Sequence, residues 1–315
     1  MPLPTFIIGG ERRGGTTSLY HWMSGHPAIY LYPESDMDYF MEAEVLGRRS
    51  WRLGEPEPDA ALWERTHDPE TYAAMFSGGE GFAAIGQKDA DLLYWQPAHA
   101  RLARYLPETR FIFSLRNPIE RAWSQYWNEV GKGREPLDFE EAVEAEETRC
   151  RQSAYARNHL AYIRRGFYEE SLTSFFQHIP RERVLVLTIE AARAQPRQTM
   201  QRIYRFLGVD DTLGLERAGK TFNKNNTMVL KPWAKGGFVA PIRKIYERGC
   251  EALVRRVYRD SELRQSKRAR MQRLFREPAG RYRLPPRLRA RLERVYRPHV
   301  ADLETLLGRT FSEWS

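Results

Sequence analysis

The residues best suited to chemistry lie near the start of the chain, in Gly9-Gly10-Glu11-Arg12-Arg13-Gly14-Gly15-Thr16-Thr17-Ser18. Glycines there let the backbone approach a ligand closely. Arg12 and Arg13 bring positive charge, and Thr16, Thr17 and Ser18 bring hydroxyls. An apolar run, Phe6-Ile7-Ile8, precedes the loop, and a segment with helical periodicity follows it. Strand, glycine turn and helix N-terminus together make an anion cradle, because the first N–H groups of a helix lack intrahelical acceptors. The spacing nearly fits a Walker A loop, but Gly15 stands where its lysine would reach the β- and γ-phosphates. Ser114-Leu115-Arg116 ends a second strand on an arginine, where a magnesium ligand would be needed. Both departures count against a metal-dependent kinase or NTPase.

Other parts of the chain must hold this loop in place. Thr5–Gly9, Phe82–Gly86, Arg110–Leu115 and Val184–Thr188 read as buried strands. Thr17–Ser24, Thr71–Phe76, Ala98–Tyr105, Pro118–Tyr126, Phe139–Cys150, Tyr155–Phe176 and Gln198–Leu207 read as helices, while Tyr30–Phe40 reads as irregular. Strands alternating with helices predict an α/β fold, a doubly wound parallel sheet of P-loop-like type flanked by helices. Pro285-Pro286 opens a last helix reaching Leu307-Gly308.

With 315 residues, 42% of them hydrophobic, the chain can bury one substantial core. Cys150 and Cys250 have neither disulfide-framework nor zinc spacing, and no metal cluster stands out. No apolar run approaches the ~20 residues of a membrane span. The N-terminus lacks the pattern of a secretory leader, so a cytoplasmic location is expected. The net charge of +9 is uneven: Lys231 to Arg297 hold 21 Lys/Arg against 6 Asp/Glu. Basicity confined there gives no reason for the body to bind nucleic acid. Ile242–Tyr258 and Arg264–Phe275 read as basic helices. Such a segment would serve as a lid, a homodimer arm or a peripheral membrane contact.

The loop Ile8–Leu19 resembles the 5′-phosphosulfate loop of sulfotransferases that use 3′-phosphoadenosine 5′-phosphosulfate (PAPS). Leu115-Arg116-Asn117-Pro118-Ile119-Glu120-Arg121-Ala122-Trp123-Ser124-Gln125-Tyr126 resembles their 3′-phosphate motif. Arg165-Gly166-Phe167-Tyr168, Val184–Glu190, Phe206–Val209 and the end at Leu306-Leu307-Gly308, Phe311 and Trp314 are similar to later family segments. The nearest types are the carbohydrate-type and bacterial sulfotransferases. The resemblance implies a PAPS-binding core over residues 1–226, a basic helical insertion over 227–283 and a completing helix over 284–315.

It also implies site roles. Arg12, Arg13, Gly14, Gly15, Thr16, Thr17 and Ser18 would hold the phosphosulfate, and Arg116, Ser124 and Tyr168 the rest of the nucleotide. Arg13 stands where the family carries a lysine at the leaving oxygen. Its fixed charge can stabilise the same developing anion, though its planar fork is no simple substitute. Aligned on Tyr39-Phe40, the family's general base falls on Asp36, which would need burial to raise its pKa. Asp38 or Glu34 could replace it. Gly86–Tyr94 resembles a second acceptor segment, with Lys88 as a substrate or sulfuryl contact. Tyr32, Asp38, Tyr39, Asp89, Asp91 and Tyr94 would line the pocket for a small-molecule acceptor. Carboxylates among aromatics suit a cationic natural product. A nucleotide-dependent kinase and a non-catalytic scaffold with a basic tail for membrane or RNA stay open as alternatives.

Overall fold

The computed structural model describes residues 2–33, 39–40, 69–220, 227–230 and 276–314. The candidate base Asp36, its alternatives Glu34 and Asp38, and the two basic helices expected between 242 and 275 lie outside these residues.

Strand β1 (Phe6–Gly10) leads into helix α1 (Thr16–Met23), then β2 (Ile29–Leu31) and α2 (Pro69–Ala74). Next come β3 (Ala84–Lys88), α3 (Pro97–Tyr105), β4 (Arg110–Leu115) and α4 (Pro118–Gly131). Three short helices follow: α5 (Phe139–Glu144), α6 (Glu146–Gln152) and α7 (Ala154–His159). Then come α8 (Tyr168–Phe176), β5 (Val184–Thr188), α9 (Ile189–Ala194) and α10 (Pro196–Leu207). Short strands β6 (Met228–Leu230) and β7 (Arg276–Pro278) precede the last helix, α11 (Pro286–Leu307).

Five strands form one parallel sheet in the order β2-β3-β1-β4-β5. Side chains alternate between its faces, as the two-residue period of a strand requires. Ile7, Phe111, Phe113 and Val186 point to one face, where Tyr72, Leu102, Phe175 and Leu303 cover them. Phe6, Ile8, Ile112, Leu185 and Leu187 point to the other, under Leu19, Trp22, Ile203 and Tyr204. With helices on both faces, every residue of β1 is buried. That explains its uninterrupted apolar sequence. Each large side chain so buried contributes about 1.5–3 kcal/mol.

The chain leaves β1 toward β2 and leaves β4 toward β5, on opposite sides of the sheet. Crevices at such reversals, outside the carboxyl ends of the strands, are where open α/β sheets bind ligands. The loops after β1 and β4 are the two motifs that the sequence singles out.

Three element predictions need correction. The single helix expected over Tyr155–Phe176 is broken into α7, a 3-10 turn at Arg164–Gly166, and α8. The buried Glu146 carboxylate causes the break. It accepts the N–H groups of Tyr162 (2.8 Å), Ile163 (2.7 Å) and Arg164 (2.9 Å), in place of helical carbonyls. Phe139–Cys150 likewise divides into α5 and α6, meeting at Ala145. β2 falls within the stretch read as irregular; three residues are too few for a periodic signal.

The chain divides into two compact units. One comprises Met1–Tyr126, Leu137–Asn223 and Pro285–Ser315 and holds the five-stranded sheet. The second comprises Trp127–Pro136 and Lys224–Leu284. In the second, β6 pairs antiparallel with β7, and Trp127 stacks on Tyr282 with ring centres 4.4 Å apart. Among the described residues no helix is long and apolar enough to cross a membrane.

Candidate active site

The loop after β1 is shaped by close backbone packing. A Cβ on Gly14 would lie 2.4 Å from the Ser114 carbonyl oxygen and 2.8 Å from that of Glu11. The Ser114 hydroxyl donates to the Gly14 carbonyl at 2.8 Å, so the end of β4 holds the loop from beneath. Arg13 adopts a left-handed conformation (φ 69°), a strained choice for a residue with a side chain and one found at functional sites. Gly15, also left-handed (φ 102°), caps α1 without a side-chain hydrogen bond. The N–H groups of Thr16 and Thr17, in the first turn, have no carbonyl acceptor among the described residues. They point outward with the positive end of the helix dipole. Thr16 is buried, and Thr17 and Ser18 are half-buried.

Asn117 organises the loop after β4. Its side-chain oxygen accepts from the N–H groups of Ile119 (3.0 Å) and Glu120 (3.3 Å), capping α4, and Pro118 takes the first helical position. The Asn117 N–H donates to Glu190 at 3.1 Å, and its amide donates to the Trp314 carbonyl at 3.0 Å. The Trp314 indole donates to the other Glu190 oxygen at 3.1 Å. The C-terminal residues thus brace this loop.

Arg116 emerges here, half-buried, and its guanidinium makes no hydrogen bond or ion pair among the described residues. Burial lowers its pKa, with Glu120 and Glu190 offsetting part of that effect from a distance. Ser124, on the second turn of α4, accepts a hydrogen bond from Arg13 Nε at 2.9 Å. The first loop therefore already touches the helix that follows the second.

Three of the residues singled out in the sequence make protein contacts of their own. Arg12 was expected on the nucleotide, but its guanidinium is committed to Asp91 Oδ2 (2.8 Å from Nε, 2.5 Å from Nη2). Arg12 Nη1 also donates to the Asn158 carbonyl at 3.0 Å and lies 2.6 Å from His159 Nδ1. Asp91 was expected to face the acceptor. It is buried, and its Oδ1 meets Arg165 at 2.9 Å. The two guanidiniums hold its carboxyl below the usual range despite its burial. Tyr168 was expected on the nucleotide, but its buried hydroxyl donates to the Arg116 carbonyl at 2.8 Å. It touches the backbone that carries Arg116.

The other acceptor-side candidates occupy the carboxyl end of β3 and its surroundings. Lys88 is buried at the end of β3, in register with Ile8 of β1. Asp89 is fully buried, and its Oδ1 accepts from the Asp91 N–H at 3.2 Å. The Tyr94 ring lies under the Arg165 guanidinium, 4.1 Å from its centre. Tyr39 stacks on Tyr72 at 4.4 Å, and Tyr32 packs against Phe76 at 5.4 Å. Tyr39 and Tyr32 thus belong to an aromatic cluster on the β3 side of the sheet.

Sequence reasoning assigned no role to Ser114, Asn117 or Glu190. Asn117 carried a signal, since Asn before Pro at a strand-to-helix junction is a capping pattern. Ser114 and Glu190 act through contacts distant in sequence and left none. Among the described residues, Glu169, Glu170 and His299 bring potential metal-ligand atoms within 4.8 Å of one another. His299 is already hydrogen-bonded to Glu169, and Glu170 pairs with Arg164 at 3.4 Å.

Comparison with known proteins agrees with this geometry. The model of the sulfotransferase family matches residues 4–212. The chain is 24% identical over 218 residues to the bifunctional heparan sulfate N-deacetylase/N-sulfotransferase 2 of Homo sapiens, covering 68% of this chain and 23% of that protein. It is 24% identical over 207 residues to heparan sulfate glucosamine 3-O-sulfotransferase 3B1 of Mus musculus, covering 66% of this chain and 46% of that one. The chain thus spans less than half the length of these relatives. A sulfotransferase crystal structure from Alicyclobacillus acidocaldarius shares the fold, with a TM-score of 0.68, 24% identity and coverage of 100% and 99% of the two chains. The chain belongs to the sulfotransferase family.

Proposed function

We propose that this protein transfers a sulfuryl group from PAPS to a hydroxyl or amine of a small acceptor. The observation that carries this reading is Arg116, a half-buried guanidinium without an anionic partner among the described residues, beside the helix that bears Ser124. A cation removed from water without a counter-charge is costly, so an anion at this position is favoured. Its planar fork suits a phosphate. The loop after β1 supplies a second set of donors: the first-turn N–H groups of α1 and the hydroxyls of Thr16, Thr17 and Ser18. Two separate anion sites flanking one crevice match a nucleotide charged at both its 5′ and 3′ positions.

PAPS would bring the activated sulfuryl group. Thr16, Thr17 and the loop N–H groups would bind its oxygens, and Arg116 with Ser124 would fix the 3′-phosphate. Arg13 would stabilise the charge that develops on the leaving oxygen, as a fixed guanidinium can. Lys88, at the adjacent strand end, would touch the sulfuryl group or the acceptor. Asp36 is assigned as the general base: it would take the acceptor's proton as the acceptor oxygen or nitrogen attacks sulfur in line and adenosine 3′,5′-bisphosphate leaves, without a metal ion.

A cationic acceptor was expected from five carboxylates. Asp91 is taken by two arginines and Asp89 is fully buried, so neither supports it. That preference now rests on Glu34, Asp36 and Asp38. Incubation with labelled PAPS and a panel of cationic, neutral and anionic alcohols and amines tests the reading. Label transfer to at least one acceptor supports it. Preference for a sulfated or uronic sugar overturns the cationic acceptor, and no transfer across the panel overturns the catalytic role.

A further inference from the structure

Four charged side chains, Glu11, Arg12, Asp91 and Arg165, lie together at the first loop; the sequence placed two of them, Arg12 on the nucleotide and Asp91 at the acceptor. Arg165 is completely buried. Its Nη1 lies 3.0 Å from Glu11 Oε2 and 2.9 Å from Asp91 Oδ1. Its Nη2 donates to the carbonyl of Asn158 at 2.9 Å and to its side-chain oxygen at 3.0 Å. Arg12 takes the other oxygen of Asp91 and the same Asn158 carbonyl. Asp91 thus hydrogen-bonds Arg12 through Oδ2 and meets Arg165 in ion-pair contact through Oδ1, and both arginines donate to the Asn158 carbonyl.

Such a cluster is expensive to bury, and it adds little stability over well-packed apolar residues. What it provides is geometry. Glu11 and Arg12 directly precede Arg13 and Gly14 in the loop. Asp91 belongs to the segment after β3, while Asn158 and His159 end α7. Three chain segments thus meet on two guanidiniums with directional contacts. Burial pushes the Glu11 carboxyl up, against the pull of Arg165 and Arg121, while Asp91, held down by both arginines, contacts both of them.

We infer that the buried Arg165–Asp91–Arg12 cluster is a clamp that sets the donor loop, making Asp91 and Arg165 positioning residues rather than acceptor contacts. This rests on the reading that the loop after β1 holds the 5′ end of the nucleotide. Loosening the clamp should then weaken binding at that end alone, leaving the Arg116–Ser124 end intact.

Calorimetric titration with adenosine 3′,5′-bisphosphate and with adenosine 3′-monophosphate separates the two ends and needs no acceptor. In Asp91→Asn, affinity for the bisphosphate should fall about tenfold or more, as for a lost charge-assisted hydrogen bond, while affinity for the 3′-monophosphate stays within about twofold. His159→Ala removes only the half-exposed end of the cluster and covers the case in which Asp91→Asn does not fold. It should weaken the bisphosphate about threefold, again without touching the 3′-monophosphate. Unchanged bisphosphate affinity in a folded Asp91→Asn, or in His159→Ala where Asp91→Asn fails to fold, overturns the clamp. Equal losses for both nucleotides also overturn it. A wild-type protein that binds neither nucleotide overturns the donor reading itself, and the clamp with it.

Discussion

Arg13 Nε donates to the Ser124 hydroxyl at 2.9 Å, joining the first loop to helix α4 across 111 positions of sequence. The cation expected at the leaving oxygen therefore rests against the hydroxyl expected at the 3′-phosphate. A nucleotide occupying both sites would compete for this hydrogen bond and free the guanidinium for the sulfuryl end. Arg13→Ala should lower kcat by about 100-fold or more, the scale of a lost transition-state donor. Its Tm should stay within about 2 °C of wild type, since a half-buried loop side chain carries little of the core. Steady-state rates alongside thermal unfolding check this; full activity would remove Arg13 from the mechanism.

Arg116 and Tyr168 should separate by size of effect. Arg116→Ala removes the anion contact and should weaken adenosine 3′,5′-bisphosphate by about 10- to 100-fold. Tyr168→Phe loses one neutral hydrogen bond, to the Arg116 carbonyl, and should cost only about two- to tenfold. Titrating both variants with the same nucleotide tests the order. A larger loss in Tyr168→Phe would return that residue to direct nucleotide contact.

The loop backbone leaves no room at Gly14. Gly14→Ala would press a methyl group onto the Ser114 and Glu11 carbonyls, which are backbone atoms and cannot swing away. The variant should lose nucleotide binding and unfold at lower temperature. Retention of both would mean that the strand end and the loop are not in register as described.

His99 gives a pH signature. Its ring is buried, with Nε2 3.1 Å from the Leu92 carbonyl and 3.0 Å from that of Leu93, and Nδ1 3.0 Å from the Ser174 hydroxyl. Burial pulls its pKa down to about 4, against an ordinary value of 6.5. The unfolded chain therefore binds the proton more readily between these values. The stability linked to His99 is present above pH 6.5 and is lost as pH falls toward 4, by about 3 kcal/mol at most. Urea unfolding of wild type and His99→Gln across pH 4–7 should show a shallower acid decline in the variant. Parallel declines would contradict the assignment.

How much of this was legible in the sequence depended on the distance over which each feature is encoded. β1 and β4 were legible because strands buried on both faces read as continuous apolar runs. The two loops were legible because glycines, arginines and hydroxyls are packed into short stretches. The arginine contacts of Asp91 were not legible because a carboxylate beside aromatics looks the same whether it meets a ligand or two arginines; Arg165 is 74 residues away. The break in Tyr155–Phe176 was hidden for the same reason, since Glu146, which takes the N–H groups of residues 162–164, lies outside that segment. Local pattern identified the elements and the loops, and tertiary pairing decided which charged groups remain for a ligand.

The central claim is that the crevice between β1 and β4 holds a nucleotide bearing both 5′ and 3′ anions. Thermal unfolding with adenosine 3′,5′-bisphosphate, against ATP with magnesium, tests it most directly. At a hundred times its Kd the bisphosphate should add about 2.7 kcal/mol of stability and raise Tm by roughly 5–10 °C. ATP with magnesium should add little. Stabilisation by ATP with magnesium alone would contradict the account.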